Sequence, residues 1–311
     1  MLPVLESGEE TLVGGQAVME GVMMRAPHSY CVAVRKSSGE IVTEEHPLAQ
    51  VSESYPIFRF PILRGLGTLG QAMSLGIKAL RFSANAAVDE GQPGQKPVEV
   101  SSWAMGLNLL FSLAFFIFLY KFVPLYLATK IGEFYPALHG RTATNLVDGV
   151  LRIGIFLLFL YGISRLKDIR RVFEYHGAEH KVVFNFESGR PVNVSNAQSF
   201  TTFHPRCGTS FLLVVMVISM LVYAFVPVDG FAAKFASRIL LLPLIAGLSY
   251  ELIRFAAKRQ GTLRCALTAP GLWLQRITTK QPSDSQAEVA IRALDGAMEL
   301  EKSQGGELVI A

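Results

Sequence analysis

The sequence predicts an α-helical multi-pass membrane protein with four transmembrane helices and a small cytoplasmic α+β part built from two hairpins. The mean hydropathy is +0.35. Charged residues make up 17% of the 311 residues, compared with about 25% in a typical soluble chain. Four apolar runs approach the roughly 20 residues that a helix needs to cross a hydrocarbon core. These observations indicate a chain that is largely embedded in a lipid bilayer.

The four predicted spans are about residues 103–128, 146–166, 209–228 and 236–253. Asp148 and Arg152 occupy the first turns of the second span at i,i+4, where opposite charges pair. Basic residues concentrate in the loops after the second and fourth spans and are fewer in the opposite loops. The positive-inside rule therefore places both termini in the cytoplasm of an inner-membrane protein.

Two Val-rich segments that flank Ser-Gly turns predict the hairpins. The first hairpin is expected over residues 31–43 and the second over residues 182–194. The two are expected to share one small sheet, although Ser-Gly turns are common enough for the similarity to be a coincidence. Residues 57–82 have apolar residues at helical spacing, and their uncharged part is too short to span a bilayer. They predict an amphipathic or re-entrant helix at the membrane surface.

Together these elements divide the chain into six segments. The net charge of +4 is too small to indicate a nucleic-acid surface, and three cysteines do not form a disulfide framework. The segments are 1–84, with the first hairpin and the amphipathic or re-entrant helix; 85–101, a linker rich in Pro and Gly; 102–166, the first two spans; 167–207, a cytoplasmic loop; 208–256, the last two spans; and 257–311, cytoplasmic amphipathic C-terminal helices.

The 167–207 loop contains the strongest candidate for chemistry, the sequence His176-Gly-Ala-Glu179-His180. Positions i and i+4 share a helix face, so the two imidazoles can bind one ion. The pattern is that of the inverted zinc peptidases. It predicts a divalent metal, with zinc as the expected ion, and Glu179 as the general base that polarises a bound water. The alternative is that the histidines cap a helix or form hydrogen bonds within the loop.

Topology brings further ligand-type side chains to the same membrane face. His204 and Cys207 precede the third span, and Glu251 ends the fourth. A carboxylate in the last turn of a span is costly unless it is paired, bound or solvated. The alternatives are that Glu251 pairs with Arg254 or contacts headgroups, and that the His204–Cys207 segment is a turn with a buried thiol. We expect one site at the cytoplasmic face.

The ligand set decides what kind of site this is. If His176, His180, His204 and Cys207 all bind, the shell is closed and the site is structural. If Glu251 joins the two histidines of the motif instead, one position stays open for water. The sequence does not separate these two sets.

A glycine- and methionine-rich stretch near the N-terminus contains three more polar residues. Gln16, Glu20 and Arg25 either line the same site or shape a compact turn. The second interpretation is favoured because no spacing rule connects these residues to metal chemistry.

Four long motifs together resemble the YqhQ-like family of bacterial, and some plastid, membrane proteins, which are built on a domain of unknown function. The motifs are residues 14–25, 175–181, 204–210 and 249–251, and the likeness extends over about residues 12–300. The resemblance implies a predicted metal-dependent enzyme with no assigned reaction. It implies that His176, Glu179, His180, His204 and Cys207 are the positions behind that description.

The sequence therefore predicts a metal-dependent, hydrolase-like membrane enzyme whose site faces the cytoplasm. A lipid or a membrane-associated peptide would suit the location as substrate. The alternative is a non-catalytic membrane scaffold or assembly factor with a structural metal site. A transporter is the weaker interpretation, because the predicted spans contain few polar residues.

Overall fold

A computed structural model of the protein describes residues 13–88, 101–257 and 262–303. This part of the chain is mostly helical and contains one four-stranded antiparallel sheet in the order β1-β2-β3-β4. A two-residue turn at Met19 and Glu20 joins the first two strands, and Glu20 adopts a positive φ of 53° there. The strands are β1 (Gly14–Val18), β2 (Gly21–Arg25), β3 (Ser29–Arg35) and β4 (Ile41–Pro47).

The sheet confirms one of the two predicted hairpins. β3 and β4 pair with Val34 opposite Val42, as the Ser-Gly turn predicts. The hairpin predicted over 182–194 is wrong, because its first half continues a long helix that ends at Glu187. Ala178 and Val182, four residues apart, both pack into the core, and a spacing of four residues is that of a helix face. The second hairpin is β1-β2, in the stretch that was predicted to be a compact turn.

Twelve α-helices accompany the sheet in the described ranges. Within the described residues, a helix covers most of the predicted 57–82 segment, and two helices follow residue 257 as predicted. Residues 85–88 of the predicted linker are helical, and residues 89–100 lie outside the described residues. The helices are α1 (Val51–Ser54), α2 (Leu63–Val88), α3 (Ser102–Ile117), α4 (Val123–Phe134), α5 (Arg141–Ile163), α6 (Lys167–Glu187), α7 (Val194–Gln198), α8 (Gly208–Phe225), α9 (Phe231–Leu240), α10 (Leu242–Ala257), α11 (Thr262–Thr278) and α12 (Asp284–Ser303).

Helices cover both faces of the sheet. The alternation of a pleated strand sends Val22 and Met24 to one face, where they pack against α6 and α12. It sends Met23 and Val32 to the other face, where they pack against α2. Because both faces are covered, β2 is buried along its whole length. The sheet, α2, α6 and α12 form one packed unit, which is called the sheet unit below.

Fewer helices than predicted meet the requirements of a membrane span. Within the described residues, two are long and apolar enough: Trp103–Phe134, in which a π-helical turn joins α3 and α4, and Arg141–Ile163. The pair Phe231–Leu240 and Leu242–Phe255, bent by 49°, counts as a third if it is one span. The apolar part of α8, Phe211–Phe225, is shorter. The structure thus supports two or three candidate spans, which fit a membrane-associated protein.

The apolar helices meet the sheet unit at one end. α8 packs against α5, α10 and α11, and α6 begins four residues after α5 ends. α6 in turn packs against β1 and α12. The start of α8, the end of α11 and the middle of α6 therefore lie together at the junction between the apolar helices and the sheet unit.

Candidate metal centre

Three predicted ligands converge at this junction. His176 and His180 lie one turn apart on α6, and Cys207 is the residue that immediately precedes α8. One ligand atom from each lies within 4.8 Å of the other two. Cys207 Sγ lies 3.3 Å from Nε2 of His176. His180 and Cys207 are buried, whereas His176 is partly exposed.

Backbone carbonyls fix the orientation of both imidazoles. Nδ1 of His176 lies 2.8 Å from the carbonyl oxygen of Thr278, and Nδ1 of His180 lies 2.5 Å from that of Thr202. A carbonyl oxygen only accepts hydrogen bonds, so Nδ1 is the donor in each ring. Nε2 is then the atom available as a ligand. This is the arrangement typical of metal-binding histidines, whose second nitrogen donates to a backbone carbonyl or a carboxylate.

A glycine places the carbonyl that orients His176. Gly177 lies against the segment after α11, and a Cβ at this position would overlap the carbonyl oxygen of Lys280. The backbone N–H of Lys280 also donates to the carbonyl of Phe173, one turn earlier on α6, at 2.9 Å. α6 and the end of α11 are therefore in direct backbone contact. The role of Gly177 does not follow from the motif itself, because the segment that contacts it lies about 100 residues later in the chain.

A buried lysine supports the loop that orients His180. Nζ of Lys181 donates to the carbonyls of Gln198 and Phe200, at 2.8 and 2.6 Å. These bonds hold the chain just before Thr202, whose carbonyl meets the imidazole of His180. Lys181 is thus a supporting residue, a role that its position next to His180 in the sequence does not indicate.

Within the cluster, the thiol of Cys207 and the imidazole of His176 shift each other's pKa. Burial alone would raise the pKa of Cys207, but the neighbouring His176 and His180 outweigh it and hold that pKa well below its usual range. Burial alone would lower the pKa of His176, but the Cys207 thiolate outweighs it and raises that pKa to about 9. The position at the N-terminus of α8 also favours a thiolate. A thiolate and two oriented imidazoles are ligands that zinc prefers.

His204 lies beside this cluster but outside the group of three. Its ring centroid is 5.6 Å from that of His180. Its Nδ1 accepts a hydrogen bond from the backbone N–H of Arg206 at 3.3 Å, and its Nε2 lies 3.4 Å from a carboxylate oxygen of Glu187. The side chain of Gln275 holds both the N–H and the carbonyl of His204 at 2.8 Å. Both ring nitrogens are therefore engaged away from Cys207.

Glu179, the predicted base, is buried against the sheet. Its Oε1 accepts a hydrogen bond from the backbone N–H of Gly15 in β1 at 3.0 Å. A Cβ on Gly15 would lie 2.8 Å from Cγ of Glu179, so this approach requires glycine. The carboxylate acts electrostatically on His176 and His204. One oxygen of Glu179 is thus anchored next to the ligand cluster.

Glu251 lies elsewhere. Its carboxylate pairs with Arg64, with Nε to Oε1 at 2.6 Å, and accepts from the backbone N–H of Ile62 at 3.2 Å. It therefore attaches the start of α2 to α10. The ligand set of His176, His180 and Glu251 is not the one that the structure assembles.

The three polar residues of the N-terminal stretch connect the sheet to its neighbours. Gln16 Nε2 lies 3.3 Å from the carbonyl of Ala72, and Arg25 donates to Gln71, so both face α2. Glu20 pairs with Arg171 at 2.5 Å and lies 3.3 Å from the hydroxyl of Tyr175 on α6. Their contacts join the β1-β2 hairpin to α2 and α6, whereas the sequence favoured a compact turn.

Comparisons with known proteins identify the family of the chain but assign no reaction to it. The family model described as "Protein of unknown function (DUF1385)" matches residues 60–300. The chain is 33% identical to "Uncharacterized protein YqhQ" of Bacillus subtilis (strain 168) over 297 residues, which cover 93% of this chain and 92% of that protein. No solved structure matches the chain. The chain therefore belongs to the DUF1385 family of proteins of unknown function.

Proposed function

We propose that the protein is a metal-dependent, hydrolase-like membrane enzyme whose site faces the cytoplasm. The observation that carries the proposal is the orientation of the two imidazoles. Each donates Nδ1–H to a backbone carbonyl, which leaves Nε2 of His176 and His180 available next to Cys207 Sγ. Side chains arranged in this way are prepared to bind a divalent ion, with zinc as the expected species.

The number of converging ligands favours a catalytic over a structural site. Structural zinc sites use four protein ligands, whereas catalytic sites use three and keep one position for water or substrate. The cluster supplies three, since His204 is engaged with Arg206 and Glu187. When bound, the ion would act as a Lewis acid and lower the pKa of a bound water. Glu179 would be the base, with one oxygen held by Gly15.

The packing of the sheet unit supports an even number of membrane crossings. β1–β4, α6 and α12 pack together. These elements come from the first, middle and last parts of the described chain, so all three parts lie on the same side of the membrane. The chain between α2 and α6, and again between α6 and α12, must then cross an even number of times. Two crossings in each part give the four spans and the cytoplasmic termini that the positive-inside rule predicts.

The location of the site suggests a substrate class. Cys207 immediately precedes the apolar helix α8, so the ligand cluster lies where apolar helices meet the sheet unit. A lipid or a membrane-associated peptide would reach this position. The alternative function is a scaffold or assembly factor in which the metal only fixes the 167–207 segment to α11.

Metal content tests the proposal directly. The protein purified in detergent is expected to contain about one divalent ion per chain by elemental analysis, and His176→Ala, His180→Ala and Cys207→Ser are expected to lose it. His46→Ala is the matched control, because His46 lies on β4, is only partly buried and contacts Glu44 and the ring of Tyr30. Absence of metal from the wild type, or the same content in all four variants, contradicts the site.

Glu179→Gln separates the two functions once metal is found. The enzyme requires that this variant keeps its metal and fails to complement a strain that lacks the gene. Under the scaffold alternative, the same variant keeps its metal and complements fully. The amide preserves the size of the side chain and an acceptor oxygen for Gly15, so a loss of complementation reflects the missing carboxylate.

A further inference from the structure

A second polar cluster lies at the far end of α8. Tyr223 is about 24 Å from Cys207 along this helix, at 1.5 Å per residue, so the two clusters are separate. The ring of Tyr223 is surrounded by three basic side chains. Lys121 Nζ lies 5.6 Å from the ring centroid, Arg152 Cζ 5.3 Å and Arg238 Cζ 4.9 Å. They come from three different elements: the π-helical turn, α5 and α9.

All three cations are removed from water. Each residue is almost completely buried: Lys121 is 6% exposed, Arg152 2% and Arg238 1%. Ionised side chains inside apolar helices are costly and are normally paired with one another or used for function. Their charges therefore require a compensating group nearby.

One carboxylate serves the whole cluster. Oδ2 of Asp148 pairs with Arg152 and accepts from Arg238 at 3.1 and 3.3 Å. Among the described residues, the charged groups that act on Lys121 are Arg152, Arg238 and Asp148. Three basic side chains thus surround a single carboxylate. This imbalance favours the binding of an additional anion.

Hydrogen-bond donors also remain available. Nε of Arg152 has no partner in the described part of the chain. Lys121 Nζ has three N–H donors, and its hydrogen bond to a described residue is a long one, at 3.4 Å to the hydroxyl of Tyr223. Arg238 already donates to Asn145, Asp148 and the carbonyl of Lys234. The open donors therefore belong to the two cations that face Tyr223 from α5 and the π-helical turn.

We propose that Lys121 and Arg152, which lie beside the ring of Tyr223, form a buried site for a phosphate group. A phosphate has several acceptor oxygens and is recognised by Arg and Lys through charge-assisted hydrogen bonds. Oδ1 of Asp148 also lacks a partner in the described part. A phosphate ester that carries a hydroxyl or ammonium group supplies the donor for this oxygen. The group is either the headgroup of a phospholipid or free inorganic phosphate.

The amount of phosphate or phospholipid that remains bound to the purified protein measures the occupancy of this site. The full chain is purified in a phosphate-free buffer and a detergent without phosphorus, and native mass spectrometry identifies any adduct by its mass. An adduct with the mass of a phospholipid identifies the lipid source. A preparation without it is titrated with inorganic phosphate alone. Either form of binding supports the proposal, and absence of both overturns it in favour of a purely structural ion cluster.

Variants assign the binding to this cluster. Lys121→Met is expected to weaken binding roughly tenfold or more, the loss expected for a charge-assisted hydrogen bond. Lys130→Met is the matched control, because Lys130 lies on α4, is exposed and pairs with Glu133 at 2.8 Å. Arg152→Lys keeps the charge and the pairing with Asp148 but removes Nε, and it is also expected to weaken binding. Binding that is unchanged in both Lys121→Met and Arg152→Lys overturns the proposal.

Discussion

The environment of a residue decides its chemistry in this protein, as two cysteines show. Cys31 lies in β3 within the apolar core, where burial, followed by the nearby Glu45 carboxylate, raises the pKa of its thiol to about 12. Cys207 is also buried, but His176 and His180 reverse the effect of burial and hold its pKa well below the usual range. The same side chain is therefore held as a thiol at one position and as a thiolate at the other.

Alkylation should distinguish these two thiols. In chelator-treated protein, iodoacetamide is expected to modify Cys207 and leave Cys31 unmodified, because the thiolate is the nucleophile. For an ordinary thiol, the rate falls as the pH drops below about 8.5. Cys207 has a lowered pKa, so its rate should stay nearly constant from pH 8 to pH 6. Peptide mass spectrometry of the modified protein gives both rates.

The imidazole partner provides the control for this measurement. His176→Ala removes the side chain that most strongly stabilises the thiolate, so the pKa of Cys207 should rise and its alkylation at pH 6 should slow by roughly tenfold for each unit of the rise. His46→Ala should leave the rate unchanged. A wild-type rate that falls steeply between pH 8 and pH 6 would contradict the thiolate assignment.

At the scale of elements, α6 combines three functions through its 3.6-residue period. One face carries Tyr175, Ala178 and Val182 into the core of the sheet unit. A second face presents His176 and His180 to Cys207. Between these faces, Glu179 reaches the backbone of β1. The helix can serve all three because Gly177 allows the end of α11 to lie directly against it.

Gly177→Ala should disturb the site without removing any ligand. The added methyl group would displace the segment 278–280 and with it the carbonyl that orients His176. We expect a loss of stability of about 1–3 kcal/mol, typical of overpacking, and weaker metal binding. Gly70→Ala in α2 is the control, since a Cβ there meets nothing within 4 Å. Thermal unfolding and metal titration measure the two effects, and identical behaviour of both variants would argue against this packing role.

The junction between α2 and α10 gives a second prediction at this scale. Glu251→Gln should keep the metal, since Glu251 pairs with Arg64 rather than with the cluster. It should destabilise the protein by about 1.5–3 kcal/mol, the cost of losing hydrogen bonds to a charged group. Glu133→Gln, which weakens an exposed pair with Lys130, is expected to change the stability much less. Loss of metal from Glu251→Gln would restore Glu251 as a candidate ligand.

The arrangement of the whole molecule follows from the sheet unit that α6 and α12 share. Because this unit joins segments from the beginning, the middle and the end of the chain, these segments lie on one side of any membrane that the apolar helices cross. In the four-span topology proposed above, the loop before α5 and the loop before α9 lie on the opposite side. The positive-inside rule then predicts that the sheet unit faces the cytoplasm.

Labelling of single cysteines in intact cells tests this topology. In a chain without its native cysteines, His139→Cys and Asp229→Cys should react with a membrane-impermeant maleimide. Ser188→Cys and Ser199→Cys, in the segment after α6, should react only after the cells are permeabilised. All four positions lie in turns or loops near helix ends, so accessibility reflects the side of the membrane. Labelling of Ser188→Cys in intact cells would reverse the assignment.

The sequence by itself determined what depends on short spacing. The apolar runs, the β3-β4 hairpin and the shared face of His176 and His180 follow from composition, turn residues and helix period, all of which act within a few residues. The same local reasoning failed at 182–194. There a Ser-Gly turn between Val-rich runs suggested strands. In the structure, Val182 packs with Tyr175 and Ala178 on one face of α6.

Only the tertiary structure decided which distant side chains meet. Cys207 reaches the two histidines because α8 and α11 pack together beside α6, whereas Glu251 is drawn to Arg64 by the packing of α2 on α10. Gly15 and Gly177 acquire their roles from the same contacts, through a carboxylate and a carbonyl far away in sequence. Local sequence specifies which groups a segment can offer. The burial of apolar surface between segments specifies which of those groups come together.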